Sequence, residues 1–277
     1  FIGKNFLQKF NKVKNKEIIY TTRADIDFTY YDKICKFLLT HKPDVIIQTA
    51  GIVGGISRNK KEGYELLSIN NTISNNLIRA TADKLPKTKF INFCSSCIYP
   101  NSLSRRISES DFSFSNIEST SESYAISKII AYKMCNLLFQ RGYNFINIIP
   151  SNLYGPFDNF NPSQSHVIPS LITKLINTHT NIILMGSGKA KRDFLYIDDA
   201  IKAILLSLKN KKAVGRIINI GSGKPKRLKD IIFQIIKIIK KGKPNFGKIK
   251  LRSDENKLVF PDLKIAKKNL GWRAKNN

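Results

Sequence analysis

The sequence predicts an α/β protein in which a doubly wound parallel sheet is joined to a smaller, less regular lobe. Short apolar runs alternate with longer stretches of helical periodicity over residues 1–155, and such alternation builds a parallel sheet with helices on both faces. At 277 residues, 42% hydrophobic and 10% aromatic, the chain is long and apolar enough for a sizeable core, which excludes wholesale disorder. Beyond Gly155 prolines interrupt the alternation and the texture becomes loop-rich.

Each element has a local reason. Phe1-Ile2-Gly3-Lys4-Asn5-Phe6-Leu7 reads as the start of a helix, and Ile18-Ile19-Tyr20 as the end of a strand. Val45–Ala50 is a compact strand signal behind Pro43-Asp44; Phe90–Cys94 follows the breaker Pro86, and Asn144–Ile149 is closed by Pro150. Between them Leu66–Lys84 and Tyr124–Gln140 have helical periodicity, the second with Ile126, Ile130, Met134, Leu137 and Leu138 on one stripe. Pro156, Pro162 and Pro169 then punctuate a loop-rich stretch. Strands near 182–184 and Ile217–Ile220 and a helix near Leu228–Ile239 follow, some of them returning to the main sheet. The expected division is a first domain at 1–155 and a second lobe at 156–277.

Charge narrows the function classes. Forty-seven Lys and Arg against twenty Asp and Glu give +27, of which +18 lies in the last 77 residues. A basic half fits nucleic acid, an anionic membrane, a phosphorylated small molecule, or a lysine-rich surface that is merely solvated. From Lys209 onward the aromatics are Phe233, Phe246, Phe260 and Trp272, with no recognisable nucleic-acid motif, so no specific nucleic-acid partner is expected. No apolar run approaches the roughly 20 residues that span a bilayer, and no secretory signal is visible. Four cysteines do not make a disulfide scaffold in a chain this long. The expectation is a cytoplasmic protein with no membrane partner.

Chemistry enters with Tyr124 and Lys128. On a helix, Tyr-x-x-x-Lys puts both side chains on one face, and an ammonium beside a phenol favours the phenolate. The expected result is a tyrosine that works as acid or base near neutral pH; the same spacing also occurs on plain helix surfaces. The strand ending at Cys94 delivers Ser95-Ser96-Cys97, the one ending at Ala50 delivers Gly51-Ile52-Val53-Gly54-Gly55, and the third delivers Pro150-Ser151-Asn152-Leu153. Ligands of open α/β sheets bind beyond such strand ends. Cys94-x-x-Cys97 also reads as a redox pair or half a metal site, but Cys35 and Cys135 stand alone, and no metal is expected.

These blocks carry a resemblance. Ala50-Gly51-Ile52-Val53-Gly54-Gly55-Ile56, Ser95-Ser96-Cys97-Ile98-Tyr99-Pro100, Tyr124-Ala125-Ile126-Ser127-Lys128, the run from Asn152 to Phe160, Ser165-His166-Val167-Ile168-Pro169, Gly186-Ser187-Gly188 and Arg192-Asp193-Phe194-Leu195 resemble the extended short-chain dehydrogenase/reductases that act on nucleotide sugars. Within these they are most similar to the GDP-L-fucose synthase family, NADP-dependent epimerase–reductases with a Rossmann-type fold. The resemblance implies that Tyr124 gives a proton to the sugar C4 oxygen during hydride transfer, that Lys128 tunes it and holds the nicotinamide ribose, and that Ser95 binds the C4 carbonyl. It implies Cys97 and His166 as the base and acid that invert C3 and C5, whose protons the 4-keto group acidifies; a thiol and an imidazole are expected to exchange roles near neutral pH. Without the family context His166 reads as an ordinary loop histidine.

The resemblance further implies NADP(H) contacts from Gly3, Phe93, Cys94, Ser95, Ser96, Lys128, Pro150, Ser151, Asn152, Leu153 and His166, with Arg23 facing the 2′-phosphate, although Arg23 also reads as a surface cation. Lys174, Met185 and Arg192 fall where the family contacts a GDP-sugar, and a homodimer is implied. Lys174 supplies a point charge where an arginine fork is common, and Met185 stands where an aromatic is common. Two departures are plain. Of the fingerprint G-x-x-G-x-x-G only the last glycine, Gly3, is present, so the first strand is expected to be missing, with weakened folding and cofactor binding. Phe260–Trp272 resembles the tail of many sugar-nucleotide epimerases, yet Arg252–Lys257 replaces the Lys-Pro-Asp-Gly-type segment of fucose synthases, and a closing helix is expected to be missing after Asn277. The basic excess is expected within or near the lobe that covers a doubly phosphorylated substrate.

Overall fold

The computed structural model describes residues 1–10, 17–161, 164–177, 181–249 and 258–276, with the backbone alone for 56, 57 and 181–185. In chain order its elements are α1 (Ile2–Phe10), α2 (Tyr31–His41), β1 (Val45–Gln48), α3 (Ile56–Lys61), α4 (Gly63–Lys84), β2 (Lys89–Phe93), α5 (Glu122–Gln140), β3 (Phe145–Pro150) and β4 (Asn152–Tyr154). There follow α6 (Val167–Asn177), β5 (Asn181–Met185), β6 (Lys191–Arg192), β7 (Phe194–Tyr196), α7 (Ile197–Lys209), β8 (Ile217–Ile220), β9 (Lys226–Arg227), α8 (Leu228–Ile239), β10 (Lys243–Ile249) and β11 (Leu258–Val259).

The main sheet has the order β1-β2-β3-β8, parallel throughout. Being parallel, it gathers the carboxyl ends of all four strands on one edge, and that edge positions the site. Its central strands are buried on both faces because helices cover both: every residue of β3 is buried, with Asn147 Oδ1 accepting Asn92 Nδ2 of β2 at 2.9 Å. One face packs Ile91, Ile146, Ile148 and Ile218 with α7, Trp272 and, from α1, Ile2 and Phe6. The other packs Phe90 and Phe145, stacked at 4.9 Å, with α2, α4 and α5. The smaller sheets are β4 with β7, β5 with β10, and β6 between β9 and β11. Leu171 and Leu175 of α6 and Ile231, Ile232 and Ile235 of α8 form a separate core. The chain's end is pinned to the head of α7: Trp272 Nε1 donates to the Asp199 carbonyl at 3.0 Å, and the amides of Lys275 and Asn276 donate to Asp199 Oδ2.

Three sequence expectations are corrected. Residues 18–20 are not a strand. β1 is the sheet's edge among the described residues, so this apolar run has no ladder beside it to complete. In α5 the buried residues are Ala125, Ser127, Lys128, Ile129, Ala131 and Cys135, whereas Leu137 of the expected stripe is 57% exposed. The small residues Ala131 and Cys135 pack with Leu77, Ile78 and Ala80 of α4, and that close approach sets the buried face. Finally, Pro169 does not break the chain but lies in the first turn of α6, where a missing N–H costs nothing. Pro162 and residues 252–257 lie outside the described residues.

Candidate active site

The site grows from the ends of β1, β2 and β3. After Phe93 the Cys94 amide still donates to the Ile148 carbonyl at 2.9 Å, and then the chain tightens into a 3₁₀ turn at Ser96–Ile98. Ser95 caps that turn, its Oγ accepting the Cys97 amide at 3.4 Å. Lys128 reaches in from α5. Its Nζ donates to the Phe93 carbonyl at 3.1 Å, while the Cys94 thiol donates to the Lys128 carbonyl at 3.7 Å. Tyr124, one turn earlier, has its ring centroid 5.5 Å from Lys128 Nζ. The loop after β1 closes the third side: a Cβ built on Gly51 would lie 4.0 Å from Lys128 Nζ and 3.0 Å from Asn70 Oδ1. Phe93, Cys94, Ser95, Cys97, Tyr124 and Lys128 thus form one linked cluster.

Burial sets the proton states and overturns two expectations. It pushes the Tyr124 phenol well above its ordinary range, with the nearby thiols adding to the rise, so the expected lowering by Lys128 is absent. The Lys128 ammonium is itself drawn down by burial. Burial pushes the Cys97 thiol up to about 12, partly offset by Ser95, and the Cys94 thiol to about 11. Near neutral pH the cluster therefore holds a protonated phenol and two neutral thiols. The Cys97 thiol is thus not held as a ready thiolate there.

Two buried side chains hold the loops, and the sequence reading assigned neither a role. Asn70, 2% exposed, accepts the Ile52 amide at 2.7 Å and donates to the Ile52 carbonyl at 2.9 Å. A signal for it was available, since Asn70 is a polar residue at a core-facing position between Leu66 and Ile73. Asp193, fully buried, accepts Ser151 Oγ at 2.7 Å, the Ser222 amide at 2.7 Å and the Gly223 amide at 2.6 Å. Its own carbonyl accepts Asn152 Nδ2 at 2.9 Å. It ties the end of β3 to β4 and to the turn after β8.

The other predicted residues divide. Pro150 and Ser151 stand at the end of β3, with Asn152 and Leu153 in β4, and Ser96, Pro150, Ser151 and Asn152 line one small pocket. Gly3 lies at the head of α1, where a Cβ would stand 2.9 Å from the Tyr20 ring and 3.4 Å from Thr49 Oγ1. His166 is exposed just before α6; its neighbour Ser165 puts a carbonyl 3.0 Å from a Cβ on Gly55. Arg23 is exposed in a turn near Asp27, whose carboxyl it helps to lower. Lys174 is exposed on α6, and among the described residues no hydrogen bond joins Arg23 or Lys174 to the cluster. Arg192 is half-buried in β6, its Nη1 donating to the Lys191 carbonyl at 3.0 Å. Met185 ends β5, and its side chain lies outside the described part.

A dinucleotide fits these residues. Gly3 lies at the head of α1, and the first amides of a helix are suited to an anion, while Gly51 lets the loop after β1 lie close to Lys128 Nζ. Among the described residues no three His, Cys, Asp or Glu side chains gather as metal ligands, and no helix is long and apolar enough to cross a membrane.

Comparison with known proteins agrees with this geometry. The chain is 33% identical over 268 residues to the GDP-L-fucose synthase of Sinorhizobium fredii (strain NBRC 101917 / NGR234), covering 94% of this chain and 83% of that protein. It is 32% identical over 244 residues to the GDP-L-colitose synthase of Yersinia pseudotuberculosis, covering 86% and 79%. Among solved structures, a GDP-L-fucose synthetase from Naegleria fowleri bound to NADP superposes with a TM-score of 0.82 at 22% identity, covering 93% of this chain and 80% of that one. The model of the NAD dependent epimerase/dehydratase family matches residues 1–221, and the chain, with its parallel sheet and its Ser-Tyr-Lys cluster at the strand ends, belongs to that family.

Proposed function

We propose that this protein is an NADP-dependent epimerase–reductase of GDP-sugars, converting GDP-4-keto-6-deoxy-D-mannose to GDP-L-fucose or a close relative. The observation that carries the reading is the cluster at the ends of β2 and α5, with Lys128 Nζ bound to the Phe93 carbonyl and lying 5.5 Å from the Tyr124 ring. Relatives at 32–33% identity with GDP-sugar names support the substrate class.

NADPH, when bound, supplies the hydride that reduces the C4 ketone. The protein's own residues do the rest. Ser95 Oγ hydrogen-bonds the C4 oxygen, and Tyr124, kept protonated by burial, donates the proton that this oxygen takes up. Lys128 holds the nicotinamide ribose and the strand end together. Phe93–Ser96 and Pro150–Leu153 line the nicotinamide side, Gly3 admits the pyrophosphate to the head of α1, and Arg23 faces the 2′-phosphate. For epimerisation one group removes the proton from C3 or C5 and the other returns one to the opposite face. Cys97 and His166 are the base and acid of this step, a pair able to exchange roles between the two centres. Lys174, Met185 and Arg192 belong to the GDP-sugar side. Residues 1–155 serve mainly the cofactor and 156–277 mainly the substrate, and the protein works as a cytoplasmic homodimer.

A second reading has one observation in its favour. A thiol pushed up to about 12 is a poor base, as in a plain 4-reductase that leaves Cys97 and His166 idle. Full-length protein given NADPH and GDP-4-keto-6-deoxymannose in deuterium oxide separates the two. The epimerase–reductase incorporates deuterium at C3 and C5; unlabelled product removes the epimerase. Tyr124→Phe is expected to cut NADPH oxidation by roughly a hundredfold or more, and equal turnover in the variant would sink the role of Tyr124.

A further inference from the structure

The small lobe carries a surface that the proposed reaction does not use. On α8 the spacing of Ile231, Ile232 and Ile235 turns one side of the helix into the core shared with α6. The opposite side reads Lys229, Phe233, Lys237 and Lys240, each about one turn from the next. Phe233 is 51% exposed among these lysines, and Ile238, near the end of the helix, is 80% exposed. The helix closes at Lys240 in a left-handed conformation, φ +58, its amide donating to the Ile236 carbonyl at 2.7 Å. That reversal leads through Lys241 and Gly242 into β10, whose Lys243, Lys248 and Ile249 are exposed.

The two elements adjoin. The rings of Phe233 and Phe246 of β10 have centroids 6.0 Å apart. A Cβ built on Gly188 would meet the Phe246 ring at 2.7 Å and Lys229 Cβ at 3.0 Å, so these side chains lie together as well. From Leu228 to Ile249 the sequence holds six lysines and one acid, Asp230, which Arg227 Nε pairs with at 2.8 Å. A helix C-terminus favours cations in its last turn. That accounts for Lys237 and Lys240, but not for lysines on the following strand, nor for apolar side chains left in water among them. A single exposed apolar residue is ordinary; Phe233, Ile238 and Ile249 share one cationic region.

We propose that this face of the small lobe, α8 with β10, is a docking surface for anionic lipid membranes, against the sequence expectation of no membrane partner. Apolar tips ringed by lysines are the chemistry that meets an anionic bilayer: the tips enter the headgroup boundary while the ammonium groups face lipid phosphates. Each lysine held near such a surface raises affinity roughly fivefold. A nucleic acid would use the lysines and a stacking ring, but it has no use for aliphatic Ile238 and Ile249. A second copy docked symmetrically would set lysine against lysine. The contact is peripheral, and it is independent of which sugar reaction the site performs.

The test is co-sedimentation of the full-length protein with vesicles of phosphatidylcholine mixed with phosphatidylglycerol, and with phosphatidylcholine alone, at about 0.1 M salt. Binding to the mixed vesicles and not to the neutral ones is expected. Reversing Lys237, Lys240 and Lys241 together to Glu should weaken it roughly a hundredfold or more, and Ile238→Ser roughly fivefold to tenfold. The control reverses Lys87, Lys211 and Lys212, exposed near the starts of β2 and β8, and so changes the net charge equally. It should keep binding within about threefold; equal losses in the two triple variants would assign the attraction to net charge and overturn the proposal. Ile238→Trp adds a reporter to a chain whose own Trp272 is buried. Its emission should shift to the blue on mixed vesicles and be quenched by brominated lipid, and an unshifted spectrum would remove the insertion. Single-stranded RNA bound equally by wild type and Ile238→Ser, with vesicles left unbound, would give the face to nucleic acid instead and likewise overturn the proposal.

Discussion

Glu109 is a carboxyl with little water around it, only 8% exposed. Its Oε1 accepts the Asn219 amide at 2.8 Å, and Asn219 Oδ1 in turn accepts the Tyr99 hydroxyl at 2.8 Å. Burial, helped by Asp262, raises its pKa above the usual carboxylate range. The folded chain therefore holds this proton more tightly than the unfolded chain does. The stability it contributes is complete below the unfolded pKa and is lost as pH rises through the folded one. Glu109→Gln keeps an acceptor for Asn219 without the charge, so its stability relative to wild type should grow as pH rises from acid to neutral. Urea midpoints at both pH values measure this, and a gap that shrinks with pH would contradict it. The same physics separates what could be read at Tyr124 and Lys128. Their spacing on one helix face is a property of the sequence, whereas the upward push on the phenol comes from segments distant in the chain.

At the scale of elements, α4 acts as a clamp as well as a core helix. Asn70 grips Ile52 through both backbone groups, and one turn on, Ser74 Oγ accepts Gln48 Nε2 at 2.9 Å. Polar residues on a buried helix face are costly unless they are satisfied, and here they fix the strand end and turn that close the site beside Lys128. Asn70→Ala should destabilise the protein by roughly 1–3 kcal/mol, the cost of leaving buried backbone groups unpaired. Denaturant unfolding measures the loss; a midpoint equal to wild type would mean that the turn holds itself. The helical period of 66–84 was legible because it repeats locally, and α8 was legible to the residue for the same reason.

For the whole molecule the charge of +27 remains the dominant physical fact. The ion pairs Lys9–Asp198, Arg105–Asp111 and Arg227–Asp230 are largely solvent-facing and worth little each. Lys42, Lys87, Arg141 and Arg216 are exposed just before β1, β2, β3 and β8, on the sheet edge opposite the site. Lys211, Lys212, Lys267 and Lys268 join them, in segments linked by Asn210 Nδ2 donating to the Asn269 carbonyl. These eight cations are thus remote from the strand ends that form the site. Self-repulsion on this scale opposes compaction, and salt screens it over about 10 Å at 0.1 M. Raising NaCl from low to moderate concentration should therefore raise the melting temperature by a few degrees, and a flat or falling melting curve would show that repulsion is not limiting.

The sequence by itself determined the parallel alternation, the three strand ends that meet, and the Ser95, Tyr124 and Lys128 set, because periodicity and motif spacing are local properties. Tertiary structure alone decided which face of α5 is buried, that Cys97 and Tyr124 stay protonated, and that Asn70 and Asp193 hold the loops around the site. Each of these depends on desolvation by segments far apart in the chain, and desolvation has no local signature in the order of the residues.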